Sequence, residues 1–199
     1  MMKSLRYIHY RKKTRQKKSR NAGEQFELKV FENLSKQAKS YVYHSTYIPI
    51  HRNNGITEID IIVVNQYRIL CFEVKYSKEP LIGLEHDKLW FKQGTQKSIR
   101  NPFIQNSHHV RALSDYLKVS DKHIINCVVV NNTQQSLPNL YTLDTVSLAT
   151  SNSRTKIFTR KELRKINRAL LRCHRFKMIK AYRHKRYRTQ MKKKHKAVS

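Results

Sequence analysis

The sequence predicts an α/β domain in which a central mixed β-sheet is flanked by helices. Two adjacent segments, 57–65 and 68–76, are apolar on both faces and indicate neighbouring central strands. Segments with helical periodicity lie before and after them, at 21–39 and 101–118, and a further apolar strand is predicted at 124–130. Strands that are apolar on both faces are typical of a sheet covered by helices on each side.

The first helix is predicted from a start signal and an apolar stripe. Asn21 is a suitable N-cap, and Glu24 follows three positions later. The stripe has helical spacing and consists of Phe26, Val30, Phe31, Leu34 and Ala38. Aromatic and β-branched residues then favour a strand at 41–50, and Asn53-Asn54-Gly55 supplies the turn into the next strand.

The second half of the chain begins with a mixed segment, 77–100, which is expected to be loop-rich. Pro102 suits the first turn of the second helix, and a short strand is expected at 140–143. Thr159 and Glu162 match a capping box that starts a long basic helix. The apolar seam of that helix consists of Leu163, Ile166, Leu170 and Cys173.

The formal net charge of +29 is concentrated at the two ends of the chain. We therefore expect a flexible basic arm at 1–20, a core at 21–150 and a basic helical extension at 151–199. Nucleic acid is the expected partner, because each phosphate that a cation neutralises releases counterions. An anionic membrane surface is the alternative partner, without stable insertion. The residues expected to contact phosphates are Arg11, Lys12, Lys13, Arg160, Lys161, Arg164, Arg168 and Arg172.

The spacing of cysteine and histidine argues against a zinc site or a disulfide framework. The three cysteines are far apart and form no CxxC pair, and His108-His109 lacks metal-ligand spacing. No apolar targeting segment opens the chain, and no apolar run is long enough to span a bilayer. A reducing, cytoplasmic location with association to the nucleoid is therefore expected.

Three charged residues interrupt the two central strands. If Gln66-Tyr67 is the loop of a hairpin, Asp60 stands directly opposite Glu73, with Cβ atoms about 4.5–5.5 Å apart. Lys75 then lies on the same face as both carboxylates, because side chains alternate along a strand. Two carboxylates this close repel each other, and they require a shared proton or a compensating cation.

A divalent metal ion or a plain ion pair would meet that requirement. Mg²⁺ takes one or two carboxylates together with waters and phosphate oxygens. Lys75 would then orient or deprotonate the attacking water, or stabilise charge on the phosphate. The alternative is a structural ion pair of Lys75 with Asp60 or Glu73. Buried charges are costly unless they perform a function, which favours the catalytic interpretation.

Four motifs occur in series over residues 20–145, and they are Gly23-Glu24, Glu58-Ile-Asp60, Phe72-Glu73-Val74-Lys75 and Asn101-Pro-Phe-Ile-Gln105. In this order they resemble the nuclease-related domain (NERD) family of the PD-(D/E)XK nuclease superfamily. The resemblance implies a restriction-endonuclease-like core and metal-dependent hydrolysis of phosphodiester bonds. It implies Mg²⁺ as the cofactor, with Mn²⁺ able to substitute.

The resemblance also implies roles for the matching residues. Asp60 and Glu73 would be metal ligands, with the Val74 carbonyl as a third. Lys75 would be the catalytic lysine.

Two further positions come from the helices. Glu24 would complete the acidic cluster, directly or through water, and Gln105 would position water or phosphate. The alternatives are that Glu24 interacts only with the dipole of its helix and that Gln105 is an exposed helix residue.

The expected function is therefore a metal-dependent nuclease that acts on DNA in preference to RNA. Endonuclease and exonuclease action both stay open, as does a homodimer, which would decide whether one strand or both are cut. A non-catalytic nucleic-acid-binding protein that retains the nuclease fold is the alternative. A peripheral adaptor at an anionic membrane is the third candidate.

Overall fold

A mixed six-stranded sheet forms the centre of the protein. The computed structural model describes residues 9–10, 21–36, 40–50, 55–151 and 155–175. In chain order the elements are β1 (His9–Tyr10), α1 (Ala22–Ser35), β2 (Tyr41–Ile50), β3 (Gly55–Val64), β4 (Ile69–Lys75), β5 (Leu81–Ile82), β6 (Leu89–Lys92), β7 (Ser98–Arg100), α2 (Pro102–Leu117), β8 (Ile124–Val130), β9 (Leu140–Tyr141), α3 (Leu148–Ser151) and α4 (Arg160–Arg175).

The strand order of the central sheet is β1-β2-β3-β4-β8-β9. The β2–β3 and β3–β4 pairs are antiparallel, whereas the β1–β2, β4–β8 and β8–β9 pairs are parallel. Helix α2 supplies the crossover that a parallel connection from β4 to β8 needs. The predicted α/β class with a mixed sheet is therefore confirmed.

The hairpin register between β3 and β4 follows the predicted one. Asn65 Oδ1 accepts hydrogen bonds from the backbone N–H groups of Tyr67 and Arg68, at 2.9 and 3.0 Å, which closes the turn. The paired residues run from Val64 with Ile69 to Ile61 with Phe72. The ladder ends there, one step before Asp60 and Glu73 would face each other.

Helices cover both faces of the sheet. On one face, α2 and α4 pack against the sheet through residues that include Leu113, Ile166 and Leu170. On the other, α1 packs through Phe31 and Leu34, with Ala149 of α3 in the same cluster. This layering explains why β3 and β4 are apolar on both sides.

The signals predicted to start the helices are all used. Asn21 Oδ1 accepts a hydrogen bond from the N–H of Glu24 at 2.8 Å, and Asn101 caps α2 immediately before Pro102. The Glu162 carboxylate accepts a hydrogen bond from the N–H of Thr159 at 2.7 Å, as a capping box requires. The four residues of the predicted apolar seam of α4 are buried.

Residues 77–100 are loop-rich, as expected, but the sequence does not predict the three short strands among them. They contain a second, antiparallel sheet with the strand order β5-β6-β7. The Trp90 ring is fully buried beneath this sheet and packs edge-on against Phe103, with ring centroids 5.9 Å apart. The three strands are short and form few hydrogen bonds, and burial of the large Trp90 side chain supplies much of the stability of this sheet.

Described residues from both ends of the chain belong to the core region. His9 and Tyr10, within the predicted flexible arm, pair in parallel with Val42 and Tyr43. Helix α4, within the predicted extension, packs on the face of the sheet shared with α2. The rest of the arm, and the extension beyond residue 175, lie outside the described residues.

Gly83 allows the close approach of the Trp90 ring to β5. A Cβ atom at residue 83 would lie 2.2 Å from Trp90 Cδ1, and the rigid indole cannot turn away without leaving its site. We expect Gly83→Ala to lower the free energy of unfolding by about 1–3 kcal/mol. Thermal unfolding monitored by circular dichroism measures this loss.

Gly94→Asn is the matched control. Gly94 has a φ of +72° and open space where a Cβ atom would lie, so a substitution there meets backbone strain but no neighbouring atom, and asparagine adopts this conformation more often than most residues. The control should lose at most about 1 kcal/mol, because it carries the cost of left-handed backbone without a steric clash. Equal stability of Gly83→Ala and wild type would show that the Trp90 ring does not constrain residue 83.

Candidate active site

An open polar cleft of about 630 Å³ lies at one end of the central sheet, between the first turn of α1 and the first turns of α2. The residues that line it are Asn21, Gly23, Glu24, Glu27, Thr57, Glu58, Asp60, Glu73, Val74, Lys75, Arg100, Gln105 and His109. The five residues predicted to be catalytic are all among them. The structure thus brings together side chains from α1, β3, β4 and α2.

Glu73 is the centre of this cluster and is only 2% exposed. Its Oε1 accepts hydrogen bonds from Lys75 Nζ at 2.5 Å and from Gln105 Nε2 at 2.6 Å. Its Oε2 lies 3.2 Å from His109 Nε2, in a geometry that does not form a hydrogen bond. Oε1 of this buried carboxylate therefore accepts two hydrogen bonds, whereas Oε2 accepts none and lies near the His109 ring.

The β3–β4 register brings Asp60 to the same site, and the sheet is irregular beside it. The β2–β3 pairing skips Ser45 and Asp60, and Ser45 adopts a left-handed φ of 53°. Asp60 Oδ2 accepts a hydrogen bond from the backbone N–H of Val74 at 2.8 Å, which holds the carboxylate against β4. An acidic side chain in the cleft thus lies beside an irregular stretch of backbone, as is common at functional sites.

The two carboxylates have opposite pKa shifts. Burial raises the pKa of Asp60 well above its usual range, and the charges of Glu73 and Glu27 raise it further. The hydrogen bond from the Val74 N–H and the charge of Lys75 lower this pKa, but by less. Burial also raises the pKa of Glu73, but the neighbouring His109 and Lys75 outweigh it, so the pKa falls below its usual value. Glu73 therefore stays ionised, because nearby groups compensate its charge. The negative charge of Asp60 is the one that is poorly compensated.

Two acidic residues reach the cleft from α1, one helical turn apart. Glu24 is exposed at the rim. Glu27 is partly buried, and its Oε1 lies 2.7 Å from His44 Nε2. Within the described part of the chain, no group of three or more His, Cys, Asp and Glu side chains is arranged to hold a metal ion. A metal at this site would therefore need backbone and water oxygens in addition to carboxylates.

His109 is a site residue that sequence reasoning missed. It is nearly buried, and its Nδ1 lies 2.8 Å from Thr57 Oγ1 while its Nε2 faces Glu73. Metal-ligand spacing does not single it out, because His108-His109 lacks that spacing. A usable signal is nevertheless present, because His109 follows Gln105 by four residues and so lies on the same face of α2.

The predicted phosphate-binding residues of α4 share an exposed face. Arg160, Lys161, Arg164, Arg168 and Arg172 are all exposed, opposite the buried apolar seam. Most of them line a shallow groove of about 940 Å³. Arg11, Lys12 and Lys13 lie outside the described residues. None of the helices in the described part of the chain is long and apolar enough to cross a membrane.

Comparison with known families agrees with these features. The nuclease-related domain model matches residues 22–131, which is more than half of the chain. The chain therefore belongs to the nuclease-related domain family. A comparison with curated proteins finds no match.

Burial of the Asp60 carboxylate, together with repulsion from Glu73, predicts that Asp60→Asn stabilises the metal-free protein. Since the pKa of folded Asp60 lies above the unfolded value near 3.8, stability falls as pH rises through the folded pKa. Asparagine removes this loss and can still accept the Val74 N–H. Each pKa unit corresponds to about 1.4 kcal/mol, or about 4 °C in Tm for a chain of this size.

The measurement is Tm in EDTA for wild type and Asp60→Asn between pH 4 and pH 8. The variant should melt higher at pH 8, and the difference should shrink towards pH 4. Asp115→Asn, at an exposed position on α2, controls for the change in net charge. A lower Tm for Asp60→Asn at pH 8 would contradict the repulsion.

Proposed function

We propose that this protein is a metal-dependent nuclease that hydrolyses phosphodiester bonds, with DNA as its preferred substrate. The observation that carries the proposal is the convergence of Asp60, Glu73, Lys75 and Gln105 in one open cleft. Membership of the nuclease-related domain family supports a nuclease-related activity. The choice of DNA over RNA rests on the family resemblance.

The donor set of the cleft suits Mg²⁺. Glu73 Oε2 is buried and forms no hydrogen bond, although His109 Nε2 lies 3.2 Å away, and Asp60 is a carboxylate held where negative charge is poorly compensated. Together with the Val74 carbonyl they would provide the few oxygen ligands that Mg²⁺ takes from a protein, and Glu24 would contribute through water. When bound, the ion would lower the pKa of a coordinated water and stabilise charge on the phosphate.

Lys75 and Gln105 supply hydrogen-bond donors beside these ligands. Both donate to Glu73 Oε1, at 2.5 and 2.6 Å, so their nitrogen atoms lie close together at the wall of the cleft. From this position Lys75 would hold the attacking water or a phosphate oxygen, and Gln105 would fix its orientation. Donors placed in advance cost little reorganisation when charge develops on the phosphate.

The exposed basic face of α4 would grip the phosphate backbone without reading sequence. From Lys161 onward its side chains are separated by three or four residues, and so they project from one side of the helix. Arginine and lysine on such a face contact phosphates and contribute most of the non-specific affinity. This face would raise the concentration of nucleic acid near the cleft.

A non-catalytic nucleic-acid-binding protein is the second candidate. The observation that favours it is the close contact of Lys75 with Glu73, which already neutralises the buried carboxylate without a metal. In such a protein the basic residues would bind nucleic acid and the acidic cluster would be purely structural.

Cleavage of nucleic acid in the presence of Mg²⁺ or Mn²⁺ tests the proposed activity. Supercoiled plasmid, linear duplex, single-stranded DNA and RNA are incubated with the full chain, in either metal or in EDTA. We expect cleavage only with metal. Glu73→Gln and Lys75→Met should each lower the rate at least about 100-fold, the scale of losing a catalytic group.

Glu85→Gln is the control, since Glu85 is an exposed acid outside the cleft. It should cleave like the wild type. Tight binding with no cleavage of any substrate in either metal would contradict the nuclease proposal and favour the second candidate. The pattern of products would separate nicking from digestion at ends.

Replacing the basic face of α4 should weaken binding in a salt-dependent manner. We expect Arg164→Gln, Arg168→Gln and Arg172→Gln combined to lower the slope of log Kd against log salt by about 0.9 for each phosphate that is no longer neutralised. Fluorescence anisotropy with a labelled duplex in EDTA measures the slope. Deleting the helix would be a poorer test, because it would also remove the buried seam.

A charge-matched control separates the position of the charges from their number. Lys29→Gln, Arg111→Gln and Lys122→Gln combined remove the same number of charges at exposed positions on other elements. This control should retain most of the wild-type slope. An equal decrease in both triple variants would show that α4 has no special role in binding.

A further inference from the structure

The outer face of the second sheet carries exposed side chains that the proposed catalytic site does not use. Leu89 and Phe91 on β6 are 45% and 53% exposed, on the side of the strand opposite the buried Trp90. Phe91 pairs with Ile82 on β5 and Ser98 on β7, and Leu89 pairs with Arg100. Because cross-strand partners share a face, these five residues form one surface, which we call the outer face.

The outer face is continuous with the proposed active site. Arg100 ends β7, belongs to the outer face and also lines the catalytic cleft. Its Nη2 lies 3.1 Å from His108 Nε2, so the side chain extends along the first turns of α2. A ligand that leaves the cleft past Arg100 therefore reaches Leu89 and Phe91 next.

The support beneath Phe91 is rigid. Trp90 Nε1 donates a hydrogen bond to the Leu84 carbonyl at 2.9 Å. The fully buried Asn101 amide donates to the Leu84, Glu85 and Asp87 carbonyls, and Asn101 Oδ1 caps α2. The aromatic ring is thus displayed on a sheet that is fastened to the same helix that carries Gln105.

The chemistry of the outer face suits an unpaired nucleobase. An aromatic ring stacks on the face of any base, and neighbouring cations follow the phosphates. Here Arg100 accompanies the ring of Phe91. Lys88, just before β6, and Lys97, between β6 and β7, are also exposed. The apolar area, with two exposed side chains, is small for a protein partner.

We propose that the outer face is a stacking platform for an unpaired strand that emerges from the catalytic cleft. A base would stack on Phe91, while Arg100 would bind the phosphate that connects this base to the cleft. The inference rests on the proposed function, because it assumes that the cleft takes a phosphodiester. It makes single-stranded or locally unpaired nucleic acid the preferred substrate, since bases inside a duplex have no free face to offer.

Binding without metal tests the platform independently of cleavage. The full chain in EDTA is titrated with fluorescent oligothymidylate and with a duplex of equal length, over a series of salt concentrations. Phe91→Ala should weaken single-strand binding about tenfold at every salt concentration, which is within the range for loss of one stacked base. The slope against salt should not change, because no charge is removed.

Three variants show that the effect is stacking. Phe91→Trp should restore the affinity, whereas Phe91→Leu, which is apolar but not aromatic, should not. Leu148→Ala removes a side chain of similar exposure on α3 and should bind like the wild type. In oligomers that contain 2-aminopurine, wild type should quench the fluorescence and Phe91→Ala should not.

The outcomes separate the platform from the nuclease. Unchanged single-strand affinity in Phe91→Ala, an equal loss on duplex, or full affinity in Phe91→Leu would overturn the platform. Full affinity in Phe91→Leu would instead indicate that the outer face binds an apolar partner. A Phe91-dependent preference for single strands without cleavage in any metal would leave the platform standing and overturn the nuclease.

Discussion

Burial of the Glu73 carboxylate is the constraint on which the rest of the site depends. A charge on a central strand is tolerated only where other groups compensate it, and here they come from β4 and α2. The position of α2 is therefore as important as the sequence of the strand. Asn106 fixes that position, because its buried amide donates to the Cys71 and Cys127 carbonyls of β4 and β8.

The end of the sheet is irregular where the acidic groups meet. Pairing between β3 and β4 ends at Ile61, and pairing with β2 skips Asp60. In a regular ladder the Val74 N–H would donate a hydrogen bond to a backbone carbonyl of β3. Here it donates to the Asp60 carboxylate instead. Left-handed backbone at Ser45 and two carboxylates in one cleft both oppose stability, and such strain is typically found at functional sites.

The sequence predicts the parts of this structure that local rules govern. The two-residue loop after Asn65 determines the register of β3 and β4, and this register alone brings Asp60 near Glu73. N-caps at Asn21 and Asn101 follow from the same kind of rule. The motif that contains Gln105 predicts its place near the acidic cluster, and its partner there is the Glu73 carboxylate.

What the sequence does not predict depends on contacts distant in the chain. The strands β5 and β7 have two and three residues, too few for periodicity to show, and they are stabilised by the Trp90 ring and the Asn101 amide. The pairing of His9 with Val42 likewise has no local signal. His109 escapes prediction because its role in the site is to contact Glu73, which metal-ligand spacing does not reveal.

Helix α4 is fastened to the core by more than its apolar seam. The Tyr43 hydroxyl donates a hydrogen bond to Asn167 Oδ1, and the Tyr116 hydroxyl donates to the Ala169 carbonyl at 3.1 Å. The basic face of α4 therefore keeps a constant position relative to the cleft that contains Glu73. Under the proposed function, a nucleic-acid strand bound at both places would be cut at a fixed distance from the segment that α4 holds, because the packing of α4 sets the separation between the two.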